Sequence, residues 1–409
     1  MKKILDGIIV LDLTRFFSGP QSTLFLAGMG AEVIKVDDPQ CGDPTAFAPP
    51  FAGPLGVSFD AQTEQDMGLP YLKRARGKKS MTLNLKSAEG REIFLRMASQ
   101  ADVIVENFSA GVTRRLGIDY ETVAAANPRI VYCSLTGYGA TGPDRDAKAY
   151  DLMVQAAVGL VSLTGQEGTP PVKAATPLSD AIAGAMAANG VVAALLHRER
   201  TGEGQQIDVA MADCLFSLLF DEPIDCYDRL GVSPRQANRA IRFSPFNVYP
   251  ASDGWVAIGA ATNDQWAGLV QVMGVEFPPQ WADHMRVGWR IANNAAIDEV
   301  VGAWTRRHAR RHVVDVLAAA HVPASSVRTI DEVMQWNQLR ARDMIVPLWN
   351  PLAGTEMAAE APGFPIKFGR TPASYGPAPI PGSHSDEVLV RLAQVTPEQL
   401  VGLRQRGVV

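Results

Sequence analysis

The sequence predicts a doubly wound α/β domain with a smaller α+β unit inserted before its carboxyl-terminal part, and three observations predict it. Short β-branched runs alternate with helix-period stretches through the first 140 residues, the pattern of βαβ units on a parallel sheet. A further strand-to-helix passage, GQQIDVAMAD, follows a long small-residue helix and closes the first domain. From about residue 222 the pattern changes, and near residues 325 to 350 the chain returns to the first domain. The expected limits are 1–221 for the first part of the large domain, 222–325 for the small domain, and 326–409 for the return segment with the rest of the large domain.

Taken in order, GIIVLDL is the opening strand, STLFLAGMG a helix and AEVIKVD a second strand. GREIFLRMASQ, ADVIVENF and RIVYCSLTGYG continue the alternation. Between the second and third strands, DPTAFAPPFAGPLGVSFDAQTEQDMGLP is rich in Gly and Pro and longer than a connector needs to be, as functional or mobile loops are. Residues 181–198 read as a buried helix of small side chains, and Gly202 and Gly204 break the chain before the next strand. Beyond residue 222 come NVYPASDGWVAIGAATNDQWAGLVQVMG and a helical stretch from about 295 to 320. The tail is extended and Pro-rich, with a short final helix.

Composition removes several classes of function. Hydrophobic residues make up 47% and charged residues 20%, the balance of a folded globular protein, and the net charge of −5 argues against bulk nucleic-acid binding. The amino end, MKKILDGIIVLDLT, has acids within its apolar run, which fits neither a signal-peptide core nor a spanning helix; a cytoplasmic location is expected. Cys41, Cys133, Cys214 and Cys226 form no CxxC pair, so neither a zinc site nor a disulfide framework is expected.

Most motifs resolve to ordinary roles. GYGATG at residues 137–142 satisfies GxGxxG, but Pro143 and DRDAK follow it instead of a helix opening onto a pyrophosphate. No GxxxxGK[ST] loop or GxSxG elbow occurs. His308 and His312 stand in RRHARRH with no acid between them, a solvated basic face and not a metal pair. LKRARGKKS gathers five basic side chains around Gly77 and suits phosphate groups as well as a plain surface loop. In TPLSDAIAGAMAANG, Asp180 is the only acid between Glu167 and Glu199. Ser179 or Asp180 at a helix start reads as a cap, and a lone carboxylate there reads equally as a nucleophile.

Six segments, taken together and in order, resemble the class III CoA-transferases, the family that includes carnitine CoA-transferase, formyl-CoA transferase and α-methylacyl-CoA racemase. They are LDGIIVLDLTRFFSGPQSTLFLAGMGAEVIKVDDPQCGDPT, ARGKKSMTLNLKSAEGREIF, ADVIVENFSAGVTRRLGIDYE, SLTGYGATGP, TGEGQQIDVAMAD and PAPIPGSHSDEVL. The resemblance spans essentially the whole chain. It implies a Rossmann-like large domain built from both chain ends, a smaller domain between, and two subunits threaded as an interlocked homodimer.

The same resemblance implies that Asp180 is the nucleophile of an acyl-CoA:carboxylate CoA transfer, passing through an aspartyl anhydride and an aspartyl-CoA thioester. Coenzyme A is then the carried group, with no tightly bound cofactor and no metal, and the partners are an acyl-CoA and a small carboxylic acid. By motif position Phe16, Phe17 and Ser18 face the thioester end, Asn107, Phe108 and Arg115 border the nucleotide half, and Lys78 and Lys79 meet the phosphates. Lys148, Tyr150 and Asp151 lie near the active aspartate. The racemase branch has a histidine where this chain has Tyr150, and a phenol with a pKa of about 10 removes an α-proton poorly at neutral pH, which favours transfer over racemisation. A non-catalytic CoA-binding subunit is the remaining alternative, and a retained Asp180 argues against it. The glycine run of formyl-CoA transferases is missing around residues 240–255, and the apolar Phe16 and Phe17 beside Arg15 suggest a larger acyl group, with Arg15 holding a second carboxylate. Residues 59–70 form a segment longer than the family norm.

Overall fold

The computed structural model describes residues 2–409 and divides into two compact units. The larger comprises Met1–Val158, Ala175–Asp221 and Asn337–Val409; the smaller comprises Gly159–Ala174 and Glu222–Trp336. The smaller unit thus extends past residue 325, where Val327 N–H bonds to Trp255 O and Arg310 forks onto Glu332. It also takes in Gly159–Ala174, held by Arg235 on Ser162 O and by Ala237 N–H on Gly165 O.

Six parallel strands organise the larger unit: β1 (Ile9–Asp12), β2 (Glu32–Asp37), β3 (Lys79–Thr82), β4 (Val103–Glu106), β5 (Val131–Thr136) and β6 (Gln205–Ala210). Their spatial order is β3-β2-β1-β4-β5-β6. This is the doubly wound order, in which the chain reverses direction across the sheet between β1 and β4 and leaves a crevice at the carboxyl ends of those strands. Near-continuous burial along β1, β4 and β5 follows from helices covering both faces. One face packs the amphipathic helix Ala88–Gln100, capped by Ser87, against the two carboxyl-terminal helices around Phe94, Met97, Val388 and Leu392. The tail therefore ends in two helices, Ser385–Ala393 and Pro397–Gln405, and not one.

Two helices define the other face near the crevice. Helix α1 (Ser18–Gly28) follows β1, and the short α2 (Leu69–Arg74) precedes β3. The Gly- and Pro-rich stretch between β2 and β3 is partly ordered: Phe51–Gly53 pairs antiparallel with Gly56–Ser58 and Met67–Gly68. The side chain of Asn350, on the hairpin strand Ile345–Asn350, donates to Ala52 O and Gln65 O and ties that small sheet to the return segment. Helix α3 (Asp151–Ala157) and the long α4 (Leu178–Thr201) complete the set that bears on the crevice.

In the smaller unit an antiparallel sheet of Phe246–Ala251, Gly254–Gly259 and Ala324–Ser326 packs on Trp266, Leu269, Val301 and Leu317. The helical stretch expected over 295–320 is two helices, Asn294–Thr305 and Arg310–Ala319. The Asp253 carboxylate accepts the Arg310 N–H and so starts the second helix.

Beneath the β1 loop lies a buried charge cluster. Lys78 Nζ reaches Asp12 Oδ2 at 2.9 Å, Thr23 Oγ1 at 2.7 Å and Pro20 O at 3.0 Å, all out of water. Lys35 Nζ bridges Asp37 and Asp43 at 3.0 and 2.9 Å and donates to Thr14 O at 2.8 Å. Burial opposes the charge on Asp12, but Lys78, Lys35 and hydrogen bonds from Thr14 and Thr23 together hold its carboxyl below the usual carboxylate range. Removing one partner strands the other in a dry site, which costs about 3–5 kcal/mol. Lys78→Met is therefore expected to destabilise the fold by that amount in denaturant titrations, with Asp12→Val/Lys78→Met losing less than the two single changes added together.

Candidate functional site

A cavity of about 450 Å³ opens where the doubly wound order predicts one, at the carboxyl ends of β1, β4 and β5. Phe16, Phe17 and Ser18 after β1, Asn107 and Phe108 after β4, and Thr136 and Gly137 after β5 supply its walls. Lys148 and Tyr150 enter from the segment before α3, and Asp180 from the first turn of α4.

The β1 loop is held open by an unusual backbone. Phe16 sits at φ 69°, a left-handed conformation that is a genuine outlier for a bulky residue. Asn107 imposes it from the side: its Oδ1 accepts the Arg15 N–H at 2.9 Å and its Nδ2 donates to Arg15 O at 2.8 Å. The consequence is a Phe16 ring that is half exposed and set edge-on to Tyr150 at 6.3 Å. Asn107 thus shapes the wall by clamping backbone.

The start of α4 is capped from another helix. Pro177 is the cap residue and provides no side-chain bond. Asp151 does that work from α3, its Oδ1 accepting the Ser179 N–H at 2.8 Å, the Ser179 hydroxyl at 2.7 Å and, more weakly, the Asp180 N–H at 3.4 Å. Gln155 donates to its other oxygen at 2.7 Å. With the cap supplied by Asp151, the Asp180 carboxylate is released from that task.

Small residues on α4 explain what stands opposite Asp180. A side chain at Gly184, one turn on, would put its Cβ 2.7 Å from Ser18 O, so α1 approaches α4 closely only because that position is bare. The amino end of α1 then faces Asp180, with both the Ser18 hydroxyl and the Ser18 N–H hydrogen-bonded to the carboxylate. Burial raises the Asp180 pKa; Ser18 opposes, the Asp151 charge adds to the rise, and Arg74 opposes, leaving it at about 6. The group is ionised at neutral pH yet poorly solvated, the condition of a reactive carboxylate.

Two residues expected at the phosphates are engaged elsewhere. Lys78 is committed to Asp12 in the interior and has no charge free for a phosphate. Lys79, the first residue of β3, pairs with Glu32 and Glu387 at the end of that strand remote from the crevice. Arg115 is exposed on the short helix Val112–Leu116, whose Val112 and Leu116 line a second, smaller cavity. A further basic side chain, Lys86, lies beyond the carboxyl end of β3 with its Nζ 2.9 Å from Asp38 Oδ2. It lines the same second cavity, of about 250 Å³, with Arg15, Asp38, Leu83, Leu85 and Leu116, and Phe108 is common to both cavities. Arg145, Ser109 and Ala110 also line the main cavity and were missed in the sequence. Strand polarity was the available signal for Lys86: residues after a parallel strand, and not before it, face the crevice.

A model of CoA-transferase family III matches residues 5–385. The chain belongs to that family. As a family III CoA-transferase it is 33% identical to the succinate–glutarate CoA-transferase of Agrobacterium fabrum, over 96% of this chain and 97% of that one. It is 36% identical to the succinyl-CoA:mesaconate CoA-transferase of Haloarcula marismortui, over 94% and 95%. Among solved structures, a CaiB/BaiF family protein from Brucella suis superposes with a TM-score of 0.79 at 31% identity, covering 96% of this CoA-transferase and all of that chain.

Because the pKa of Asp180 is about 6 against an ordinary 3.8, the folded CoA-transferase holds that proton more tightly than the unfolded chain. Its charge therefore costs stability that is absent below about pH 4 and fully present above about pH 6. Asp180→Asn is expected to raise the melting temperature at pH 8, the gain closing as pH falls towards 4; equal gains at both ends would contradict it. In Asp151→Asn the neighbouring negative charge is lost, so Asp180 should titrate lower and the pH window of that gain should move to lower pH.

Proposed function

We propose that this enzyme moves CoA between an acyl-CoA and a free carboxylic acid by covalent chemistry on Asp180. The observation that carries the reading is a single, partly desolvated carboxylate facing the amino end of α1, in a cavity at the sheet's switch point. Asp180 attacks the thioester carbon and expels CoA thiolate, forming a mixed anhydride. The thiolate then attacks the aspartyl carbonyl and releases the first acid, leaving Asp180 as its CoA thioester. An acceptor carboxylate attacks that thioester to form a second anhydride and free thiolate. Attack of the thiolate on the new acyl carbon delivers the product thioester and restores the Asp180 carboxylate. No net proton moves, and over the whole cycle one thioester is exchanged for another, the more energetic anhydrides being formed and consumed within it.

Ser18 suits the two steps in which the aspartyl carbonyl is attacked, because its N–H and hydroxyl already face the Asp180 oxygens on which negative charge then develops. The thioester end of CoA runs past Phe16 and Tyr150, Lys148 and Arg145 offer positive charge along the wall, and the smaller cavity beside Phe108 and Lys86 receives the nucleotide. Exposed Leu152 and Met153 on α3, and Phe216 and Phe220 on and just after the helix Met211–Leu219, are apolar surface of the kind an interlocked homodimer would cover.

Intact-protein mass spectrometry after incubation with a panel of acyl-CoAs tests the proposal. Wild type is expected to gain the mass of CoA less water in a hydroxylamine-sensitive bond, and Asp180→Ala to gain nothing. Tight CoA binding without any adduct, together with deuterium exchange at the acyl α-carbon, would replace transfer by racemisation.

A further inference from the structure

Arg74, the last residue of α2, has an unusual environment. Its guanidinium stacks on the Phe17 ring, 4.8 Å from the centroid, and Phe17 in turn lines the cavity that holds Asp180. Its Nε is shut off from solvent without a hydrogen-bond partner, and no hydrogen bond or ion pair to any of its nitrogens is found among the described residues. Nearby acids do not fill the gap. Asp43 is taken by Lys35 on one oxygen and by the Thr45 N–H and hydroxyl on the other. Asp180 feels the Arg74 charge but takes its hydrogen bonds from Ser18.

A half-buried guanidinium with empty donors is costly unless an anion arrives to meet it. Burial itself disfavours the Arg74 charge, as its depressed pKa records. The planar fork of arginine is matched to a carboxylate, which it grips through two parallel hydrogen bonds. Arg15 cannot serve instead: its backbone is clamped by Asn107 and it lines the smaller cavity with Asp38 and Lys86.

We propose that Arg74 binds the far carboxylate of a dicarboxylic acyl group, so that the enzyme selects acids bearing a second carboxylate at the end of a short chain. The inference rests on CoA transfer at Asp180. The acyl chain extends from Asp180 along the Phe17 ring, which gives its methylene groups an apolar floor, and ends at the guanidinium. A monocarboxylic acid of equal length leaves Arg74 unmet, and its carbon chain gains only the contact with Phe17.

The test compares the rate of CoA adduct formation from succinyl-CoA and glutaryl-CoA with that from butyryl-CoA and pentanoyl-CoA, in wild type, Arg74→Met and Arg74→Lys. Wild type is expected to react faster with the dicarboxylic thioesters. Assayed at pH 8, where Asp180 is ionised with or without the Arg74 charge, Arg74→Met keeps the stem against Phe17 and should slow those two on the order of 10- to 100-fold more than butyryl-CoA and pentanoyl-CoA, the value of hydrogen bonds to a charged group. Arg74→Lys keeps the charge without the fork and should fall between; it carries the test if the Met variant does not fold. Equal slowing of all four thioesters, or no slowing in either variant, would overturn the role of Arg74 while leaving transfer at Asp180 intact. No adduct from any thioester in wild type would remove the transfer reading, and this one with it.

Discussion

The buried pair of Asp12 and Lys78 is the constraint on which the site depends. It joins the last residue of β1 to the chain entering β3 and, through Thr23 and Pro20, to α1. The loop between β1 and α1 is thus pinned at both ends, and Lys35 holds it at Thr14 O as well. An apolar replacement of similar volume could match the stability of such a pair. What it could not supply is direction: each of these polar groups accepts a partner in one geometry, and together they set the path of residues 13–18. The left-handed Phe16 is tolerated because the backbone on either side of it is held, by Asn107 at Arg15 and by the first turn of α1 at Phe17.

From that loop the reactive position follows by close packing. Gly184 lets Ser18 approach α4, and Asp151 relieves Asp180 of capping. The carboxylate is left with Ser18 on one side and cavity on the other, and burial does the rest by raising its pKa. Stability is spent here, since an ionised, poorly solvated acid opposes folding at neutral pH, and the large core around Phe94, Met97 and Leu392 absorbs that cost. Arg74 is a further unmet charge nearby: its guanidinium stacks on Phe17, a wall residue of the same cavity, and its Nε has no hydrogen-bond partner.

Most of the misplaced site residues share one cause. Lys78 and Lys79 stand together in a run of basic residues, and composition alone makes such a run a phosphate site. The fold separates them: Lys78 turns inward to an acid 66 positions away, and Lys79 falls at the amino end of a parallel strand. Lys86, seven residues on, lies past the other end of that strand and reaches a cavity. Arg15, next to Phe16 in sequence, lines the smaller cavity, while Phe16 lines the larger one.

Local pattern sufficed for the alternation of strands and helices, the long small-residue helix, the singular position of Asp180 and the family to which the chain belongs, because each of these is written in spacing or in motifs of adjacent residues. Helix ends and breaks were less legible: the stop between Thr305 and Arg310 depends on Asp253, more than fifty residues earlier. The assembly of the site was decided only in three dimensions. Asp151 caps a helix it does not belong to, Ser18 meets an acid across a bare glycine, and Arg74 finds Phe17. Such pairings depend on strand order and on the close approach of elements distant in sequence, so no local signal records them; what is local in this protein is the lone acid at the head of a small-residue helix, and what is tertiary is everything that buries it and raises its pKa.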